Sequence, residues 1–590
     1  MHGRTWVLAL ALVAAATMGH AAEPTNPKWP QKWNYIRTAL NKDENTDTLI
    51  DLLKQSKEAG CTHIALAEWG TGRLEALKNP DYLKRVEKVR AAAKELKLEI
   101  VPMVFPLGYG GSTLGYDGNL MAGIPVRDMP FVVKGAKAEP DPAAVPTVLD
   151  PGFEDFKDNT FTQWGGQKFP GVTTFVDTVV VHRGKASLRF GNMVNSGVKG
   201  ASSGLATQKI EVKPFQYYNL SMWLRTDGFA VNHGALAVTA RSGKRALTYW
   251  NLGVPKSAYE KKEWVKFTVP FNTLDNKEVE IEIGAKWGRA GTLWVDDVEI
   301  VPAGLLNVLR RDTAPLTVTS DDGNTIYVEG KDFKPVVDPF IADFPNTGEM
   351  DSAHQGPLIE RTADSRIRDG QRLRVSFYHG YQIDADQHVV TMQDPKVLEI
   401  WDQVMTRLVE IWPSSGYFMS GYDEIRLGCW EPQPKGENLT PGQILARHTT
   451  AAYNIIKKHA PQATVYTWSD MYAPYHNGRS GDNYWMVNGN YDKSWEGIPR
   501  DMVIMNWYAN KLEDVQFFSS LGCHQVLCGY YDQGTSEGVK KNLGTWFKVS
   551  AGVSGIDGMM YTTWGNRYKF MKEFFQLVDS YPTWVEAPAK

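Results

Sequence analysis

Cysteine is scarce: four residues in 590, far too few for the disulfide framework of a chain this long. Cys523 and Cys528 are close enough to bridge in an oxidising compartment. Cys61 and Cys429 stand far apart, and free buried thiols are the expectation for all four. No Cys/His spacing matches a zinc site. An excess of one charge is missing as well. Lys and Arg number 64 against 67 Asp and Glu, a formal net charge of −3, which offers no field for nucleic acid or an anionic membrane. Beyond the first residues no apolar run is long enough to cross a bilayer, so no membrane span is expected. The run Trp6–Ala16 is apolar but short; His2 and Arg4 precede it, and Gly19-His20-Ala21 supplies small residues at the cleavage positions. This pattern predicts a signal peptide over residues 1–22 and a secreted or periplasmic protein.

Aromatic residues, by contrast, are abundant: 20 Trp and 25 Tyr. More than half are assigned to the core. The remainder are available as platforms for sugar rings, whose C–H faces are apolar. At 590 residues, 43% hydrophobic and 22% charged, the chain has the composition of a globular protein of two to four domains.

Residues 28–138 alternate strand and helix patterns: Asn34–Ala39, helical spacing over Asp47–Ala59, His63–Trp69, an amphipathic stretch over Tyr82–Leu96, and Glu99–Phe105. Such alternation implies parallel strands with crossover helices. From about Pro140 helical periodicity vanishes, and eight or so short alternating stretches follow through Val301, separated by Gly, Asn and Asp turns; they predict a β-sandwich over residues 147–303. Residues 304–369 read as a β-rich return segment. Residues 370–590 resume the α/β alternation. The fold class is therefore α/β: a (β/α)8 TIM-like barrel with an inserted all-β jelly-roll sandwich. Nine barrel strands are predicted for eight places, Leu373–Tyr378 and Tyr417–Ile425 among them.

The run Tyr417–Ile425 carries the most chemical information, because its apolar residues lead into Asp423 and Glu424. Adjacent strand side chains point to opposite faces, so the pair is expected at a barrel mouth, where the strand ends. Hydrolysis of a glycoside needs one carboxylic acid whose pKa is raised by burial or by a neighbouring negative charge, and Asp423 is placed to provide that charge to Glu424. The plain alternative is a solvated strand end with Glu424 paired to Arg426. Later predicted strands also end in polar and aromatic clusters: Trp468 and Asp470; Asn506, Trp507 and Tyr508; Tyr530, Tyr531 and Asp532; Trp564, Asn566 and Arg567. In a barrel these ends share one face.

The order of these motifs resembles that of family 20 glycoside hydrolases, the β-N-acetylhexosaminidases: Gly421-Tyr422-Asp423-Glu424, then Trp468-Ser469-Asp470, Asn506-Trp507, Tyr530-Tyr531-Asp532 and Trp564. Glu68–Glu75 is similar to that family's second-strand loop. The resemblance implies Glu424 as general acid/base and Asp423 as the group orienting the 2-acetamido substituent, whose carbonyl oxygen is the nucleophile. It implies sugar contacts from Trp468, Trp507 and Trp564, acetamido contacts from Tyr530 and Asp532, and hydroxyl contacts from Arg37 on the first strand. Three departures stand out: Ser420 replaces a His, Pro106-Leu107-Gly108-Tyr109 replaces Pro-Gly-His, and Asn566 replaces a sugar-binding carboxylate. Asp470, Asp532 and Glu68 are spare carboxylates, candidates for a nucleophile or base if the substrate lacks an acetamide.

The insert resembles carbohydrate-binding modules of the family 4/22 jelly-roll type, through Leu149–Asp155, Gly184–Leu188 and Gly291–Val298. That resemblance implies a structural calcium at Glu154 and Asp296; oxygen ligands suit calcium. Trp223, Trp250 and Trp264 are the insert's candidate sugar platforms, with a core role as the alternative for Trp223. The combined expectation is a secreted glycoside hydrolase acting on an oligosaccharide or polysaccharide, an exo-acting retaining β-N-acetylhexosaminidase without a catalytic cofactor. The alternatives are a glycosidase of another specificity using a second carboxylate, and a non-catalytic glycan-binding protein.

Overall fold

The structure is a computed structural model. It describes residues 29–229, 236–248, 263–286, 290–342, 354–383, 387–412, 416–479, 485–508, 511, 513–530 and 532–580. The expected signal segment and Trp250 lie outside these residues.

Eight parallel strands close into a barrel: Gln31–Thr38, His63–Glu68, Glu99–Val104, Tyr417–Ser420, Thr464–Trp468, Val503–Asn506, Gln525–Tyr530 and Ile556–Thr562. The two-residue period of each strand sorts its side chains. Trp33, Tyr35, Ala65, Val101, Met419, Tyr466, Trp468, Met505, Val526, Cys528 and Met560 fill the lumen. Ile36, Ile64, Leu66, Ile504 and Leu527 pack outward in the core shared with the helices. Several of those helices begin where the sequence supplies caps. Asn79 accepts from Asp81 N and Tyr82 N before helix Pro80–Leu96. Asp394 accepts from Lys396 N before Pro395–Ile411. Thr440 and Gln443 form a reciprocal capping box ahead of Pro441–His459. All four cysteines are free. Among the described residues, no helix is long and apolar enough to cross a membrane.

One of the nine predicted barrel strands belongs elsewhere. Arg372–His379 pairs antiparallel with Ile124–Lys134 and Thr317–Ser320 in a six-stranded sheet, which also contains Ile326–Tyr327, Lys137–Pro140 and Ile359–Glu360. This sheet has its own core of Val126, Phe131, Val318, Leu373, Val375 and Phe377. Its alternating sequence, with Leu373, Val375 and Phe377 buried and Arg374 and Ser376 partly exposed, suits a sheet covered on one face. The third barrel strand ends at Val104, and residues 124–138, read as barrel, join the 304–369 return segment in this sheet. Glu424 follows the fourth barrel strand.

The intervening segment forms two antiparallel sheets. One has four strands: Gly204–Glu211, Glu278–Ala285, Leu236–Ser242 and Arg245–Ala246. The other has five: Val265–Asn272, Tyr217–Asp227, Thr292–Pro302, Ser187–Phe190 and Thr174–Asp177. Ala206, Ile210, Ile281 and Ile283 of the first and Leu220, Met222, Leu224 and Val295 of the second are buried.

Candidate active site

The strand that leads to the acid pair stops at Ser420, so Asp423 and Glu424 stand in the loop beyond it. Two contacts pin this loop to the third strand's exit: Gly421 N donates to Val104 O at 2.9 Å, and Leu107 N donates to Gly421 O at 2.9 Å. The approach is close enough to require glycine at 108, where a Cβ would lie 2.1 Å from the Asp423 carbonyl oxygen. Glu424 adopts a left-handed backbone, φ 47°. That turn breaks the strict alternation of an extended strand and lets both acids line one cavity.

The cavity, about 560 Å³, opens at the C-terminal mouth of the barrel, where active sites of this architecture lie. Its inner wall is aromatic. Trp564 lies 5.9 Å from Trp468, 6.3 Å from Trp507 and 5.1 Å from Tyr35, centroid to centroid. Arg37, Trp69, Tyr109 and Gln387 contribute to the remaining wall.

The two acids have opposite surroundings. Glu424 is held by donors: Arg426 Nη2 donates to Oε1 at 2.9 Å, Arg426 Nη1 lies 2.7 Å from Oε2, and Tyr109 Oη and Gln387 Nε2 both donate to Oε2. Burial pushes its pKa up, but Arg426, by charge and hydrogen bond, and Tyr109 outweigh it, leaving Glu424 below the usual range. Asp423 is enclosed and faces the charges of Asp470 and Glu424, and its pKa is raised well above the usual carboxylate range. These surroundings favour the proton on Asp423 and the charge on Glu424, the reverse of the order expected from the sequence. The pairing of Glu424 with Arg426 is real, yet it is largely buried behind the cavity wall and not at a solvated strand end.

Several predicted site residues serve the scaffold instead. Asp470 Oδ2 accepts from Glu424 N at 2.9 Å and from Asn477 Nδ2 at 2.8 Å, so it fixes the acid loop from behind; burial pushes its pKa up to about 6. Glu68 borders the cavity with its oxygens engaged: Oε1 accepts from Leu40 N at 2.8 Å, and Oε2 from Gly70 N at 2.8 Å and Tyr82 Oη at 2.6 Å. Asp532 caps the last barrel loop, accepting from Thr563 Oγ1, Trp564 N and Gly565 N at 2.5, 2.8 and 3.0 Å. Tyr530 falls in register with the lumen residues Val526 and Cys528. Its left-handed backbone, φ 75°, takes it out of that alternation, and its ring stacks on Tyr561 in the outer core at 4.1 Å. Asn566 is exposed, also left-handed at φ 54°, and lies outside the cavity wall. Gln387 carried no signal in the sequence; it reaches Glu424 from the segment after the six-stranded sheet, which only the fold brings over the barrel mouth.

The expected calcium ligands in the insert are spent on backbone amides. Asp296 Oδ2 accepts from His182 N at 2.8 Å and Arg183 N at 3.3 Å, and Oδ1 from Asp297 N at 2.9 Å; Glu154 accepts from Lys185 N at 3.0 and 3.1 Å. N–H dipoles aimed at these oxygens oppose a cation. No set of three or more His, Cys, Asp or Glu side chains among the described residues is grouped to hold a metal. The donor set does not fit calcium. Trp223 and Trp264 are half-buried around His182, with centroid distances of 4.1 and 5.5 Å.

Comparison with known proteins bears on the barrel. Residues 350–577 match the model of glycosyl hydrolase family 20, catalytic domain. No curated protein matches the chain. Among solved structures, a rhamnosidase from Novosphingobium sp. PP1Y aligns at 10% identity over 93% of this chain and 58% of its own, with a TM-score of 0.33. An inactive mutant of a family 20 exo-β-N-acetylglucosaminidase from Vibrio harveyi aligns at 12% identity over 30% of this chain and 29% of its own, TM-score 0.20. The CBM22-1 xylan-binding domain from Paenibacillus barcinonensis aligns at 15% identity over 26% of this chain and 90% of its own, TM-score 0.19. The segment carrying Asp423, Glu424 and the last five barrel strands is thus a glycoside hydrolase domain similar to the family 20 catalytic domain.

Proposed function

We propose that the protein is an exo-acting retaining hydrolase of terminal β-linked N-acetylhexosamine, with Glu424 as acid/base and Asp423 as the residue that orients the acetamido group. The observation that carries this reading is the pair itself: two adjacent acids line one cavity together with Trp468, Trp507 and Trp564. A pyranose on that wall brings its 2-acetamido group to Asp423. The acetamide N–H requires a carboxylate at Asp423, so with substrate bound the pair's proton is on Glu424, where the acid needs it. The acetamide oxygen attacks the anomeric carbon while its bond to the leaving oxygen breaks, and Glu424 gives its proton to that oxygen. Water then adds to the anomeric carbon from the side the leaving group vacated. Glu424 takes a proton from this water, the acetamide is restored, and configuration is retained.

A nucleophile from the spare carboxylates is disfavoured, because Glu68, Asp470 and Asp532 are all bound within the protein. The two-sheet insert is read as a jelly-roll carbohydrate-binding module, and the N-terminal segment as the signal for export. The test is a panel of aryl glycosides, matched except at C2. Turnover is expected with a 2-acetamido group and not with a 2-hydroxyl. Equal turnover of both would overturn substrate assistance.

A further inference from the structure

The cavity has a second aromatic surface that the reaction centre does not use. Trp69, in the loop after the second barrel strand, lines the cavity and is 39% exposed. The inner wall is different: Trp468 and Trp507 are 1% and 7% exposed and pack with Trp564 and Tyr35. Among the described residues Trp69 pairs with no aromatic ring; the Arg73 guanidinium lies over it, 4.7 Å from the centroid. Leaving an indole this exposed forgoes hydrophobic burial, so its position needs a cause.

The loop is built to hold it there. Trp69 N donates to Thr38 O at 3.2 Å. Gly70 N donates to the buried Glu68 at 2.8 Å, and Thr71 Oγ1 donates to Glu68 O and Met103 O at 2.8 and 3.0 Å. Glu68 is fixed in turn by Leu40 N and Tyr82 Oη. Around the mouth, the inner wall comes from the first, fifth, sixth and eighth strands, whereas Trp69 follows the second, and Glu424 with its partner Tyr109 follows the fourth and third. An acid that protonates a glycosidic oxygen stands between the two sugars that oxygen joins.

We infer that Trp69 is the platform for the sugar on the leaving side of the scissile bond, so that the preferred substrates are chains with a second pyranose ring and not simple glycosides. This rests on the reaction proposed above. The C–H face of the second ring would lie on the indole, and Arg73 would back the indole from the other side.

The test compares two substrates with wild type, Trp69→Ala and Trp69→Tyr: a β-linked N-acetylglucosamine disaccharide, and the corresponding β-glycosyl fluoride, whose leaving group has no ring. Trp69→Ala is expected to lower kcat/KM on the disaccharide about tenfold while leaving the fluoride unchanged, with Trp69→Tyr recovering much of the loss. An equal loss on both substrates, or no loss on either, would overturn the subsite alone. No turnover of either substrate by wild type would overturn the proposed reaction, and the subsite with it.

Discussion

Replacing Glu424 with Gln separates two effects that the structure places on one side chain. The first is chemical. The amide has no proton of suitable acidity to give the leaving oxygen, and losing a positioned general acid costs about 10²–10⁴-fold in rate, or ~2.7–5.4 kcal/mol of barrier. The second is structural. Arg426 has a side chain only 5% exposed, and Glu424 is its counter-charge. Breaking a buried ion pair costs roughly 3–5 kcal/mol. The loss here should be smaller, because the Gln carbonyl still accepts from Arg426 or Tyr109 in place of the carboxylate. A series of aryl glycosides with leaving groups of graded basicity, combined with thermal unfolding, distinguishes the two. The chemical effect grows with leaving-group basicity and nearly vanishes for the best leaving groups, whereas a structural effect lowers Tm and reduces turnover of all members alike. A folded Glu424→Gln variant that loses less than tenfold on the most basic leaving group would refute the role of Glu424 as acid.

Other consequences are open to direct measurement. Arg426→Met removes a cation that lowers the pKa of both Glu424 and Asp423, so the pair keeps its proton to higher pH; the alkaline limb of the kcat/KM profile should move up by about 1–3 pH units. An unmoved limb would mean that the titrating group is not this pair. Gly108→Ala places a methyl 2.1 Å from the Asp423 carbonyl oxygen, and the acid loop has to yield. The variant should fold, by circular dichroism, yet lose most of its turnover; full activity would show that the loop's position is not critical. Treatment with a calcium chelator should leave Tm unchanged, since Asp296 and Glu154 already accept from backbone N–H groups. A fall in Tm restored by added calcium would overturn that assignment.

Much of this protein was legible along the chain. Alternating helical and strand periods mark the barrel, and the loss of helical periodicity marks the insert, because burying one face imposes a period of 3.6 or 2 residues on the sequence itself. The acid pair and the Trp residues were visible because strand ends in a barrel share one mouth. Other features were decided only in three dimensions. The strand Arg372–His379 is sheet-like by sequence, but its partners, Ile124–Lys134 and Thr317–Ser320, are chosen by long-range pairing. Tyr530 and Asn566 are turned from the positions that alternation implies by left-handed backbone, which a period-two reading does not detect. Asp470, Asp532 and Glu68 have the right chemistry for a site, but backbone N–H groups from other segments claim them. The pairing of Glu424 with Arg426 was visible locally, but Tyr109 from one loop and Gln387 from another join it at Glu424, and Asp470 faces Asp423, contacts that no local motif contains. Residue types fixed what chemistry is available, and the tertiary structure decided in which direction each acid's pKa moves, because electrostatic energy depends on distance in space and not on position in the chain.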